Sequence, residues 1–269
     1  PAKEASQYAW GGFNDTRVYH SEDNTRLVGL IRRLYGRLGE QLMREGDFKK
    51  AEEVLNKGNE ILPNGIFPYA STMSSMYGYT QSCLFYAEDF FQMHTPSADQ
   101  KGLAMTNDIF TGLSELINWY NNTDENTIAL HSSDLHYDFL FLHYLLKNIN
   151  YPGDGLSSRY HELKLDKVAS YYANELNNSV SRKMRQYDFD QQAIASDIQE
   201  MHQLMEVCSI TGNKAMADKI QKMAEAQFNA LDAMQPGMGG AFRNFFNTMG
   251  QPREEEAAQD TAQTTDTNK

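Results

Sequence analysis

Nowhere does the chain string together the about 18 apolar residues that a bilayer-spanning helix needs, so none of its 269 residues marks a membrane crossing. Cysteine is nearly absent. Cys83 and Cys208 are the two present, which gives neither a disulfide framework nor a zinc spacing. Both fall inside apolar helical patterns, which points to buried free thiols. Positive charge is also short. Lys and Arg number 24 against 36 Asp and Glu, a formal net charge of −12. Nucleic-acid binding wants a basic stripe and anionic lipid wants a polybasic face, so this balance argues against both.

Motifs that carry chemistry are missing too. There is no P-loop, no dinucleotide-binding glycine fingerprint, no GxSxG elbow, no CxxC pair and no HExxH. Glycoside chemistry needs two carboxylates facing each other across a sugar, which sequence alone cannot pair here. The expectation is a fragment with no catalytic residue, no metal site and no cofactor. No signal peptide is visible and the chain opens on Pro1 rather than Met, so it reads as a mature product or an excised piece.

What is present is helical periodicity. Hydrophobic residues make up 41% and aromatics 12% of the chain, enough to bury a sizeable core. The pattern is clearest from Arg26 to Pro63. Leu27, Leu30, Ile31, Leu34, Leu38 and Leu42 recur at three- and four-residue spacing and give one apolar helix face. Gly46-Asp47 interrupts the pattern as a turn. Phe48, Ala51, Val54, Leu55, Gly58, Ile61 and Leu62 then mark a second helix, which Pro63 ends.

The spacing of this hairpin resembles the tetratricopeptide repeat. Tyr35, Leu38, Gly39, Leu42, Ala51, Leu55 and Pro63 sit at that signature's offsets, Leu42 standing where the motif usually has Tyr, and Gly46, Asp47 and Phe48 resemble its turn. Gly39, Ala51 and Gly58 are small where two helices must approach. Tyr35, Leu38 and Leu55 are large where a groove must be filled. A weaker copy lies at 198–234. Gly212, Ala217 and Ala224 fall where Gly46, Ala51 and Gly58 fell, and Leu204 falls over Leu38. Terminal repeats are often atypical. The predicted fold is all-α, an irregular superhelix of tetratricopeptide-like stacked hairpins over 26–235. An extended segment (1–25) precedes it, and a capping turn with an acidic, disordered tail (236–269) follows.

Between the hairpins the helical pattern is less regular. Asp23 or Asn24 is expected to cap the first helix, with Trp10, Phe13 and Tyr19 pinning the leading segment or forming an aromatic ligand platform. A Met- and aromatic-rich helix runs from about Met73 and ends near His94-Thr95-Pro96, either as core or as a peptide groove. Ser97 is read as the next N-cap. Helices follow at 126–150, 157–186, 188–212 and 213–234. His136 and His143 share a face of the first of these, with Asp134 and Asp138 nearby. Hydrogen-bonded histidines are the expectation there rather than a metal site, which needs ligands converging from several turns. Phe242, Phe245 and Phe246 seal the array or meet a partner.

One further resemblance spans residues 10 to about 70. Trp10-Gly11, Val18-Tyr19 and Arg26, then the hairpin to Pro63 and Phe67-Pro68-Tyr69, resemble the Bacteroidetes DUF2723 family. Those proteins are polytopic membrane proteins that look like glycosyltransferases related to protein O-mannosyltransferases, with a soluble tetratricopeptide-like region at the C-terminus. The resemblance implies that this chain is that soluble part, on the periplasmic side of the inner membrane. It meets the membrane only through a missing N-terminal part, with the catalytic acids elsewhere. It implies a protein or peptide partner and no nucleic acid. Asp260-Thr261-Ala262 resembles the short O-glycosylation pattern of exported Bacteroidetes proteins. A free-standing glycan-binding protein or carbohydrate-active enzyme of the envelope is the alternative. The sequence names no ligand-binding residue.

Overall fold

Two glycines close two helices in the same way. Gly46 (φ 80°) donates to the Met43 carbonyl at 2.9 Å while Asp47 N–H reaches back to Leu42 at 2.9 Å. Gly212 (φ 83°) donates to Ser209 at 3.1 Å while Asn213 N–H reaches Cys208 at 2.7 Å. This paired closure needs a left-handed residue at its centre, which costs a glycine nothing. The sequence therefore turns the chain sharply at both places.

The structure is a computed structural model, and it describes residues 12–70, 77–149, 151–153, 155–186 and 190–249. Among them the fold is all-α with no strand. Its elements are α1 (Glu22–Arg44), α2 (Phe48–Ile61), α3 (Tyr77–Gln92), α4 (Pro96–Asn121), α5 (Glu125–Leu130), α6 (Ser132–Lys147), a 3-10 helix (Ser157–Glu162), α7 (Asp166–Met184), α8 (Gln191–Ile210), α9 (Lys214–Met234) and α10 (Met238–Thr248). Successive helices fold back as stacked hairpins.

Contacts divide the chain into two units. The first comprises residues 1–172 and 206–217, the second 173–205 and 218–269. In the first, α1 lies on α2 and α3, α3 on α4, and α6 on both α3 and α4. Its core holds Leu55, Leu62, Phe67, Cys83, Tyr86, Phe90, Ile109, Phe110, Leu113, Leu142 and Leu145. In the second, Leu176, Val180, Ile198, Met201, Leu204, Ile220, Phe228, Leu231 and Phe246 are buried. There Gln227 of α9 donates to Asn177 Oδ1 of α7 at 2.7 Å, and Lys183 of α7 pairs with Asp197 of α8 at 2.7 Å. The α10 helix opens on Asp232, whose carboxylate accepts from Gly239 N–H at 2.8 Å, and Phe246 packs on Phe228 with ring centres 5.7 Å apart.

Several expected boundaries move. Ser21 caps α1 by accepting from Asn24 N–H, in place of Asp23 or Asn24. Thr95, not Ser97, caps α4, because Pro96 occupies the first helical turn, where its missing N–H costs nothing. The expected helix 126–150 is two helices broken at His131. The expected helix 157–186 begins as a 3-10 turn, becomes extended at Leu163, and is α-helical only from Asp166. Phe13 does pack against Phe67 at 5.6 Å, but Tyr19 is exposed and pins nothing. Phe246 is buried while Phe245 is exposed, which splits the expected phenylalanine trio. Trp10, Met73, Met76, Asp188 and the tail with Asp260-Thr261-Ala262 lie outside the described residues.

Candidate functional site

Helix α1 faces the opposite way from its hydrophobic pattern. Leu27, Leu30, Leu34 and Leu38 are 47%, 58%, 64% and 48% exposed. At 100° per residue they occupy an arc of about 80°. The inward side holds Val28, Gly29, Arg32, Gly36 and Gly39, all buried. The reason is volume. Large side chains come from the neighbours: Tyr79 lies over Gly29, Tyr86 and Asp89 over Gly36, and Leu55 over Gly39. Leucines on that side of α1 would overfill the seam.

Of the predicted repeat residues, Gly39 lies against Leu55, Gly58 lies against Tyr86 and Tyr35, and Ala51 is buried. A Cβ on Gly39 would lie 2.9 Å from Leu55, and one on Gly58 would run into the Tyr86 hydroxyl. Tyr35 is half-buried with its ring over Gly58. Gly46 forms the turn and Pro63 follows α2. Leu38 is the exception. Expected to fill the groove, it stands on the open side, whereas its counterpart Leu204 is buried.

Arg32 is the device that lets a charge lie in the seam. It is fully buried without a carboxylate beside it. Its Nη2 donates to the carbonyls of Leu62 at 2.7 Å and Phe67 at 3.1 Å, and its Nη1 to the Tyr79 hydroxyl and to Cys83 Sγ at 3.3 Å. The guanidinium lies 4.5 Å from the Tyr69 ring centre and 5.1 Å from that of Tyr79. It joins α1 to the end of α2, the following loop and α3, satisfying the Leu62 carbonyl that the end of α2 leaves open and sharing the loop carbonyl of Phe67 with the Tyr79 hydroxyl.

Beside the leucine stripe runs a row of Arg26, Arg33, Arg37 and Arg44, within an arc of about 40° by the same geometry. Arg26 pairs with Asp23 at 3.5 Å and Arg44 with Glu40 at 3.8 Å, both in exposed positions. Arg33 and Arg37 carry no ion pair among the described residues. Together with Glu40, Gln81, Ser82, Phe85 and Asp89 they border a cavity of about 420 Å³ between α1 and α3. Asp89 is buried there, and burial, with Glu40 and Glu88 nearby, pushes its carboxyl up to about 8.

The histidines are held by neighbours. His136 Nδ1 lies 3.0 Å from the Tyr172 hydroxyl, and His143 Nε2 lies 2.8 Å from Glu206, which also takes Lys147 at 2.7 Å. Asp138 is buried between α6 and α4, and its carboxyl is pushed up to about 7 by burial and Asp134. Among the described residues, no three His, Cys, Asp or Glu side chains gather as a metal would require, and no helix is long and apolar enough to cross a membrane. Burial pushes both cysteine thiols up, Cys208 to about 12, which keeps them protonated and inert.

Comparison with protein-family models, curated proteins and solved structures returns no match.

Proposed function

We propose that the chain is a non-catalytic protein-binding module that receives a partner segment on the outer face of α1. One observation carries this reading: four leucines, spaced by three and four residues along one helix, are about half exposed. Scattered surface leucines are ordinary, whereas a continuous leucine stripe on one helix is the anchor pattern of helix-to-helix recognition. The shared closures at Gly46 and Gly212, with small residues under each hairpin, support a tetratricopeptide-like origin for the module. The likeness of residues 10 to about 70 to DUF2723 proteins supports its being the soluble, periplasmic part of a larger membrane glycosyltransferase-like protein.

The test is selection of helical peptides from a displayed library on the full chain, with Leu30→Gln/Leu34→Gln as the counter-target. Peptides that lose binding to the variant support the reading. Peptides that bind both chains equally well sink it.

A glycan-binding role is the second reading. The α1–α3 cavity favours it, because the half-exposed Phe85 ring stands beside Glu40, Gln81 and Asp89. Saccharide titration by calorimetry, with Phe85→Ala as control, separates it from the first.

A further inference from the structure

Resting on that docking face, we infer the chemistry of its occupant: an acidic amphipathic helix of a protein partner. Its apolar side chains lie on Leu27, Leu30, Leu34 and Leu38, and its carboxylates run along Arg26, Arg33, Arg37 and Arg44. Three observations select it.

The first is charge. The chain as a whole carries −12, yet α1 gathers four arginines in one row directly beside the exposed leucines. Arg33 and Arg37 sit one turn apart at the middle of that row, with no ion pair among the described residues. Arginine presents a planar fork that takes carboxylates two oxygens at a time.

The second is asymmetry. The other flank of the stripe holds Ile31, Tyr35 and Leu42, which are half-buried and uncharged. A partner helix is therefore asked for carboxylates along one flank only, which fixes its orientation. The third is fit. The leucines span about 17 Å and the arginines about 27 Å of helix at 1.5 Å per residue, which a partner helix of about 18 residues covers.

Two other occupants fit less well. An antiparallel second copy would set arginine row against arginine row, since two-fold pairing brings each flank against itself. An anionic bilayer would attract the row but repel the rest of an acidic chain.

The experiment uses the full chain and fluorescein-labelled synthetic helices of about 20 residues. These share a leucine stripe and differ only in having glutamate or lysine along one flank. Binding is read by fluorescence anisotropy. The glutamate peptide is expected to bind roughly tenfold tighter than the lysine peptide. Arg33→Glu/Arg37→Glu is expected to reverse that order. Leu30→Gln/Leu34→Gln is expected to weaken both peptides roughly 30-fold. All four positions are exposed, and circular dichroism confirms that the variants fold.

Equal binding of the two peptides, or no reversal in the arginine variant, overturns the acidic partner while leaving the leucine face standing. Peptide binding untouched by the leucine variant sinks the docking face itself. Self-association in sedimentation that the leucine variant abolishes makes a second copy the occupant. Flotation with phosphatidylglycerol vesicles through the arginines, with no peptide preference, makes it a membrane. Either result overturns the inference.

Discussion

Asp89→Asn should stabilise the protein, and the gain should grow with pH. Asp89 is 3% exposed, and its carboxyl is raised to about 8 from an ordinary 3.8. The cause is chiefly burial, with Glu40 and Glu88 adding repulsion. The folded chain thus holds this proton more tightly than the unfolded chain does. Below pH 4 both states are protonated and the site costs nothing extra. As pH rises from about 4 to about 8 the unfolded chain gives up its proton and the folded chain does not, so stability falls. Above about 8 both are ionised and the penalty levels off. Four pKa units at 1.36 kcal/mol each set a ceiling of about 5 kcal/mol. Water entering the adjoining cavity lowers the realised value to roughly 2–3 kcal/mol at pH 8. Asparagine has the same shape and no charge to bury. Urea unfolding of both chains, followed by helical circular dichroism from pH 4 to 9, should give a difference near zero at pH 4. It should rise to a plateau near pH 8. Asp138 is raised to about 7 in both proteins and cancels in the comparison. A difference that stays flat with pH would show that Asp89 ionises normally, and the reasoning from its burial would be wrong.

Other perturbations follow from the same seam. Arg32→Leu should cost about 3 kcal/mol in urea unfolding, because the buried Leu62 and Phe67 carbonyls lose a donor; Arg32→Lys should not restore it, since one ammonium cannot span both carbonyls and the Tyr79 hydroxyl. Gly58→Ala should cost about 1–3 kcal/mol by displacing Tyr86 from its 2.6 Å hydrogen bond to the Leu55 carbonyl, which a thermal melt would read. Leu30→Gln/Leu34→Gln should leave stability within about 0.5 kcal/mol, since both side chains already meet water. Cys83 and Cys208 should stay silent to a disulfide-exchange reagent until denaturant is added, both being buried with raised thiol pKa values.

The first hairpin was legible because its signals are local. Gly46 supplies the left-handed turn, Asp47 caps α2 by accepting from Lys50 N–H, and Pro63 stops the chain from continuing. The Gly212 turn was legible for the same reason. The sequence pattern puts the start of α4 too late, at Ser97, because Pro96 reads as the end of the preceding helix, whereas it sits inside α4 with Thr95 as the cap. The break at His131 had no glycine or proline to betray it. What misled was the face of α1. Periodicity shows that a helix has an apolar side, not that anything covers it. The counter-signal was Gly29, Gly36 and Gly39 around Arg32, a small-residue seam on the side away from the leucines. It becomes readable only once Tyr79, Tyr86 and Leu55 are seen to supply the bulk. The buried carboxyl of Asp89 left no trace in the sequence, because its neighbour Glu88 is also an acid there yet is only half-buried.

The most direct measurement is methyl nuclear magnetic resonance of the full chain, with leucines labelled, during titration with the glutamate-flanked helical peptide. The leucine face predicts saturable shifts of the Leu27, Leu30, Leu34 and Leu38 methyls, while those of the buried Leu55 and Leu113 stay in place. Shifts centred elsewhere, or none at all at concentrations where the peptide is helical, would contradict it.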